Sequence, residues 1–502
     1  LTIMRVLISI SDTKGIVSFL KNLRNFYSDI EIIATSGTNK YLKNNGIYAK
    51  EISDYIDFPE ILDGRVKSLH PKIFGGILSR KNSKNHNIEL KKHNINKIDM
   101  VICNLYKFEK VINSNEFSNE EAIENIDIGG ASILRAAAKN YNEVVVISDP
   151  SDYEFLLNCI SENKLNNDTK KKLAAKVFNL LSDYDSKVAN YLSGNHNIIT
   201  LRHDKFNKLR YGENPHQSGY IQKNESENGI ANSILISGKE MSYNNYLDAD
   251  VAFDAANNFK KNCVSVIKHT NVCGLSINSN QLEAFNNAVN GDPISAYGGI
   301  LGFNSLLQEN VANEIIKSFF EIVVAPKFSS KALGILRKRK NLRIIQAMYS
   351  PIDQLHYRSI SGGLLAQSQN LDEKYELKVV TEIKPSNQEL EDLKFAWKLC
   401  SFIKSNAIIL VKNNTLLGMG AGQPNRVMSV KIAGEVAGKK SIDCIMASDA
   451  FFPFPDSITK ASDLGVKCII QPGGSINDSK VIEEANNKGI SMIFTNQRRF
   501  TH

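Results

Sequence analysis

The chain has 502 residues, 42% hydrophobic and 23% charged, with 61 basic and 53 acidic side chains and a net charge of +8. That balance excludes a disordered chain, which needs lower hydrophobicity and more net charge, and the length predicts about three folding units. No apolar run approaches the ~20 residues of a membrane helix, and the seven cysteines form no C-x-x-C pair, which argues against a disulfide framework and a cysteine-based zinc site.

The first residues enter a strand pattern without a signal-peptide apolar region, so the expected compartment is the cytoplasm. Leu1 is not an initiator, and Met4 is an alternative start. Residues 6–10 read as a buried strand, and the polar turn 11–15 caps a helix over 16–24. A second strand, 31–35, runs into Ser36-Gly37-Thr38 and another helix. Residues 100–105 and 144–148 are further strands. Continuous apolar runs separated by helices predict a parallel sheet covered on both faces, with ligands at the carboxyl ends of its strands. A long helix over 167–193 closes this part, and the polar segment 193–197 marks a boundary. The remainder again mixes strands and helices, including strands at 263–268 and 406–411. No internal repeat is visible in it. The basic run 337–340 reads as a solvated helix face.

Several windows carry chemistry-bearing groups, and each alone also fits an ordinary loop or turn. RVKSLHP (65–71) gathers two cations, a hydroxyl and an imidazole. IDIGGAS (126–132) places glycines before a helix, where free N–H groups hold anions. LRYGENPHQ (209–217) is dense in polar groups. VIKHTNVCG (266–274) sets a lysine beside a histidine at a strand end, a pairing suited to acid–base work near neutrality. GMGAGQ (418–423) lacks the third glycine of the dinucleotide fingerprint, and GEVAGKKS (434–441) has the wrong spacing for a P-loop. Neither H-E-x-x-H nor a zinc-deaminase ligand pattern occurs. The basic excess is spread widely, so it fits anionic small molecules as readily as nucleic acid.

Taken together, these windows with CNLYKF (103–108), DPISAYGG (292–299), SGGLLAQ (361–367), KSNAI (404–408), SDAFFPFPDS (448–457) and QRRFTH (497–502) fall in one order along nearly the whole chain. In that order the chain resembles the bifunctional purine-biosynthesis family that joins aminoimidazole-carboxamide ribonucleotide (AICAR) transformylase to inosine monophosphate (IMP) cyclohydrolase. The resemblance implies an α/β protein of two domains. Residues 1–198 form a methylglyoxal-synthase-like parallel-sheet domain that closes the purine ring. Residues 199–502 form a transformylase domain of two cytidine-deaminase-like α/β subdomains, without the deaminases' zinc-activated water.

For formyl transfer, the resemblance implies 10-formyltetrahydrofolate as co-substrate. It assigns the amine proton to His269, charge and proton management to Lys268, and the formyl group to Asn406. Arg210, Tyr211 and Arg499 fall to the nucleotide, with Arg498 the alternative to Arg499. For ring closure it implies Lys67, Tyr106, Asp127 and Lys139 as the catalytic set. Ser11, Lys14, Thr35, Ser36, Gly37, Thr38, Arg65, Gly129 and Gly130 then belong to substrate binding. It also implies a homodimer with transformylase sites across the subunit interface, and no nucleic-acid or membrane partner. Whether a monovalent cation binds stays open. The competing class is a purine- or folate-responsive or RNA-binding protein on the same scaffold, but no RNA-recognition aromatic signature is present. Two family prolines are replaced, by Val272 after Asn271 and by Lys107 after Tyr106.

Overall fold

The computed structural model describes residues 3–106, 108–112, 114, 116–194, 206–223, 228–350, 355–368 and 375–502. Lys107 and the expected boundary at 198 lie outside the described residues. The chain divides into two compact units, Leu1–Arg202 and His203–His502.

The first unit is built on a five-stranded sheet of β1 (Met4–Ser9), β2 (Ile30–Ala34), β3 (Lys50–Glu51), β4 (Met100–Cys103) and β5 (Val145–Ile147), in the order β3-β2-β1-β4-β5. Every pairing is parallel. The apolar runs predicted for these strands are buried on both faces: Leu7, Ile33 and Val101 enter one core, and Val6, Ile8 and Ile102 the other. The helix Ile16–Leu23 starts at Gly15 in a left-handed conformation (φ 74°) with no side-chain cap bond, so the glycine backbone, and not the polar turn's side chains, begins it. Gly129 and Gly130 lie inside the first turn of the helix Gly129–Lys139, one turn earlier than the sequence pattern placed its start. The helix Asn167–Ser193 closes the unit and ends at Gly194 (φ 56°).

The second unit holds a twelve-stranded sheet. Its strands are β6 (Ile234–Ser237), β7 (Asn262–Lys268), β8 (Asn271–Asn278), β9 (Ile300–Phe303), β10 (Ile322–Ala325), β11 (Arg343–Gln346), β12 (Lys378–Val379), β13 (Ile408–Lys412), β14 (Thr415–Gly420), β15 (Ile445–Ser448), β16 (Cys468–Gln471) and β17 (Ser491–Phe494). Their order is β12-β17-β16-β15-β13-β14-β8-β7-β9-β10-β11-β6. This is one six-stranded pattern used twice. A hairpin, β7–β8 or β13–β14, meets its twin at the centre through Ser276 and Thr415, and three strands plus an antiparallel edge strand follow outward on each side.

The duplication is legible in sequence once the strands are aligned. Ser242, Asp248, Asn262, Lys268 and Gly274 match Ser386, Asp392, Asn406, Lys412 and Gly418 without insertion or deletion. Both N-caps, Ser242 and Ser386, form capping boxes with the third residue of their helices, Tyr243–Asn257 and Asn387–Cys400. Gly418 and Gly420, read as a turn after a strand, are instead strand residues. A Cβ on either would collide with the backbone of the helix Arg426–Ala437, so they serve close strand–helix packing. The run Arg337–Lys340 is exposed but is no helix face: the helix Ser330–Leu336 ends before it, and the run forms the turns that follow.

Candidate functional site

In the first unit a cleft of about 560 Å³ opens at the carboxyl ends of β1, β2 and β4. Ser11, Thr35, Gly37, Thr38, Arg65, Lys67, Tyr106, Asp127, Gly129 and Gly130 line it, so the parallel-sheet rule located it correctly. Local hydrogen bonds shape its floor. Thr38 Oγ1 accepts the Ile10 amide at 3.1 Å, and the Asn104 carboxamide oxygen accepts the Ser11 and Asp12 amides at 2.6 and 2.9 Å. Asn104 escaped the motif reading although it directly precedes Leu105-Tyr106. Glu60 was missed as well: it accepts from Ser36 Oγ at 2.9 Å and lies 3.9 Å from Lys67 Nζ. Arg65 pairs with Glu124.

Asp127 is held from both sides. Its amide donates to the Tyr184 hydroxyl at 2.6 Å, and its carboxylate accepts the Gly130 amide at 2.7 Å. Burial lifts its carboxyl above the ordinary range, against the pull of the Gly130, Tyr106 and Ala131 amides and the Lys67 charge. Such a group trades protons readily with a ligand. Lys14, in the turn before the helix Ile16–Leu23, and Ser36, the first residue of the helix Ser36–Asn44, stand beside the cleft but do not line it. Lys139 is exposed at the far end of its helix, about 15 Å of helical rise from Gly129. Within one chain the structure does not bring Lys139 to the other three residues of the set. His70, prominent in its motif, accepts the Lys72 amide at 3.2 Å and caps a helix.

In the second unit Lys268 ends β7, and His269 and Thr270 form the two-residue turn into β8, both left-handed (φ 53° and 59°). Lys268 Nζ donates to the Tyr297 carbonyl at 2.8 Å. Arg210 lies over the Tyr211 ring at 5.4 Å, and both act electrostatically on Arg343. Arg343 lies 3.7 Å from Glu321, whose charge also reaches Asp248 beneath the His269 turn. Arg210 and Tyr211 therefore lie within electrostatic reach of Arg343, which stands at the same end of the sheet as Lys268 but three strands from β7. Cys273, in the same motif, is buried, with its thiol pushed up to about 12, and donates to the Val266 carbonyl, so it is no nucleophile.

Asn406 stands just before β13, at the same end of the sheet. Its amide oxygen accepts from Arg426 Nη2 at 2.6 Å, and its Nδ2 donates to the Gln423 carbonyl at 2.8 Å. Arg426 is paired with the fully buried Asp449. These groups adjoin a cleft of about 670 Å³ lined also by Phe451, Asp456, Gly473, Arg498 and Phe500. The carboxy-terminal segment is tied down by Ser405, which donates to the Thr501 carbonyl at 2.9 Å, and by Asp449, whose carbonyl accepts the Arg499 amide at 2.8 Å. Arg498 and Phe500 face the cleft, whereas Arg499 is 2% exposed and packs over Trp397. The structure thus puts Arg498, not Arg499, on the cleft. Three strand spacings, about 14 Å, separate Asn406 from the Lys268–His269 turn.

A family profile described as "AICARFT/IMPCHase bienzyme" matches residues 137–436, and one described as "MGS-like domain" matches residues 15–132. The chain is 43% identical to a bifunctional purine biosynthesis protein purH of Dictyostelium discoideum, over 99% of this chain and 100% of that one. It is 44% identical to the bifunctional purine biosynthesis protein PurH of Thermoanaerobacter sp. (strain X514), over 99% of each chain. The PurH of Clostridium perfringens (strain 13 / Type A) is likewise 44% identical over 99% of each. With two clefts in two units and this agreement over its whole length, the chain belongs to the AICARFT/IMPCHase family of bifunctional purine biosynthesis enzymes.

Proposed function

We propose that the two activities of this enzyme, formyl transfer and IMP cyclohydrolase, are carried by separate residue sets in the two units. Formyl transfer runs from 10-formyltetrahydrofolate to the AICAR amine. His269 takes the amine proton as nitrogen attacks the formyl carbon, and Lys268 stabilises the developing oxyanion and assists the folate leaving group. Arg426 and Gln423 fix Asn406, so its second Nδ2 proton can meet the formyl oxygen. Arg498 and Phe500 serve the ligand in the cleft.

Ring closure follows in the first unit. The carboxamide nitrogen attacks the new formyl group of the same molecule and water departs. Proximity has already removed much of the entropic barrier. Lys67 stabilises charge on oxygen, and Asp127 with Tyr106 moves protons. The 5′-phosphate rests on the Ser11 and Thr35–Thr38 loops. Lys139, remote from this cleft within one chain, has the weakest support of the set.

The separation of Asn406 from the Lys268–His269 turn supports a homodimer that completes each transformylase site across two copies. We place this enzyme in the cytoplasm; no described helix is long and apolar enough to cross a membrane. The relatives are named for a bifunctional enzyme, which leaves the binding-protein alternative without support.

The observation that carries this reading is the convergence of Lys67, Tyr106 and Asp127 on the cleft of the first unit, while every transformylase candidate belongs to the second. Paired variants test it. His269→Ala should abolish formyl transfer and spare ring closure, and Lys67→Ala should do the reverse. A folded His269→Ala enzyme with near-normal formyl transfer refutes the role of His269. The homodimer is tested by dilution: formyl transfer should fall below the dimer dissociation constant while ring closure persists.

A further inference from the structure

The turn that carries His269 is an improbable one. Two left-handed residues in succession suit Asn-Gly or Asn-Asn, because Asn tolerates that region and Gly has no Cβ. Histidine tolerates that region as well, but the β-branched threonine at the second position is an outlier there. The duplicated half makes the comparison internally: the equivalent β13–β14 turn is Asn413-Asn414 (φ 52° and 54°). Its lysine is also equivalent. Lys412 Nζ donates to the Ile442 carbonyl at 2.9 Å, as Lys268 Nζ does to Tyr297.

Beneath both turns lies a buried aspartate on the preceding helix. Asp392 holds the Asn413 and Asn414 amides with its two oxygens at 2.9 and 2.6 Å. Asp248 accepts the Thr270 amide at 2.6 Å, and the His269 amide lies near enough to pull its carboxyl down. The two carboxylates are 8% and 5% exposed for Asp248 and Asp392.

We propose that Asp248 is a positioning residue for formyl transfer: its carboxylate grips the Thr270 amide and so holds an unfavourable turn in the geometry that aims the His269 imidazole at the substrate amine. This rests on the reading of His269 given above. Asp392 bonds both amides of a turn that already prefers its conformation, so it has only a structural task. Burial raises the Asp248 carboxyl, while the Thr270 amide, the His269 charge and the His269 amide lower it and Glu321 raises it further.

The test sets Asp248→Asn against Asp392→Asn in the full-length enzyme. Each change leaves one oxygen and replaces the other by a donor facing an N–H. Asp248→Asn should lower kcat for formyl transfer about 10- to 100-fold with KM for both substrates nearly unchanged, the pattern of a misaimed reacting group. Asp392→Asn should leave kcat within about twofold. Thermal unfolding of the same preparations reports whether the second unit of each protein is folded. Unchanged kcat in Asp248→Asn, or equal losses in both variants, overturns the proposal. Should Asp248→Asn fail to fold, Asp248→Glu and Asp392→Glu make the same comparison with the charge kept and the fork displaced. His269→Ala separates the two levels. If it stays active, the reading of His269 fails; if it is inactive while Asp248→Asn is normal, only the inference about Asp248 fails.

Discussion

Val272 stands where the family has proline, directly after the extended Asn271. The pair Lys268–Asn271 closes a two-residue hairpin, so it is the hydrogen-bonded one, and the next pair, Ile267–Val272, points its N–H groups away from the partner strand. Pro at 272 thus removes no bond to β7, and an extended Asn271 suits the residue before a proline. Val272→Pro should keep formyl transfer and raise stability by about 0.4–1 kcal/mol through the unfolded chain. Thermal unfolding checks it, and a clear fall in midpoint would show that the Val272 N–H is needed. Asp250 offers a second test. Desolvation and the Asp254 carboxylate one helical turn away push its carboxyl up to about 6 from 3.8. Its contribution to stability is present below the unfolded value of 3.8 and is lost as pH rises through about 6. Asp250→Asn stays neutral throughout. Its midpoint should exceed that of the unchanged protein above pH 6 and converge with it near pH 4, measured by unfolding across that range. Among the functional residues, Arg498 and Arg499 show what sequence conveys least. Both carry the same charge, and only the path of the chain decides that one meets the cleft and the other Trp397.

At the level of strands and helices, glycines separate two roles that look alike in sequence. Gly420 lies in β14 where a Cβ would strike the Ser429 backbone, whereas Gly422 (φ 66°) has open space around its Cβ position. Gly420→Ala should destabilise by roughly 1–3 kcal/mol through overpacking, and Gly422→Ala by about 1 kcal/mol through conformation alone. Denaturant midpoints of the two variants compare them directly. Both glycines belong to one motif, GMGAGQ, and its pattern cannot say which partner approaches. The N-terminal sheet was far more legible. Its strands are short continuous apolar runs such as Val6 to Ile8 and Met100 to Cys103, and burial on both faces demands that composition. The cleft followed because polar residues end those runs. The duplication in the second unit was hidden. What the halves share is a framework of turn, aspartate and lysine, while apolar positions such as Phe253 and Trp397 have exchanged freely within the packing. Asp248 was illegible for the same reason: a lone acid inside a helix gives no sign that it reaches a turn over twenty positions later.

For the whole molecule, the two halves of the second unit have diverged at opposite ends of one sheet. At one end Asn406 is held by Arg426, and Arg426 by the buried Asp449. At the corresponding places of the other half, Asn304 and Gln281 bond to carbonyls and hydroxyls of their own surroundings. The charged set therefore sits at the end that also carries Lys268 and His269, and the neutral set at the other. The charged end depends on the last residues of the chain, because Thr501 is bonded to Ser405 beside Asn406 and Arg498 lines the cleft. Removing residues 497–502 should abolish formyl transfer while ring closure in the first unit continues, as separate assays of the two reactions would show. Synthesis from the amino terminus then has an order of competence. On the proposed division of labour, a ribosome finishes the first unit long before the transformylase site has all its parts, and an early stop codon should leave a protein able to consume the formylated intermediate but unable to make it.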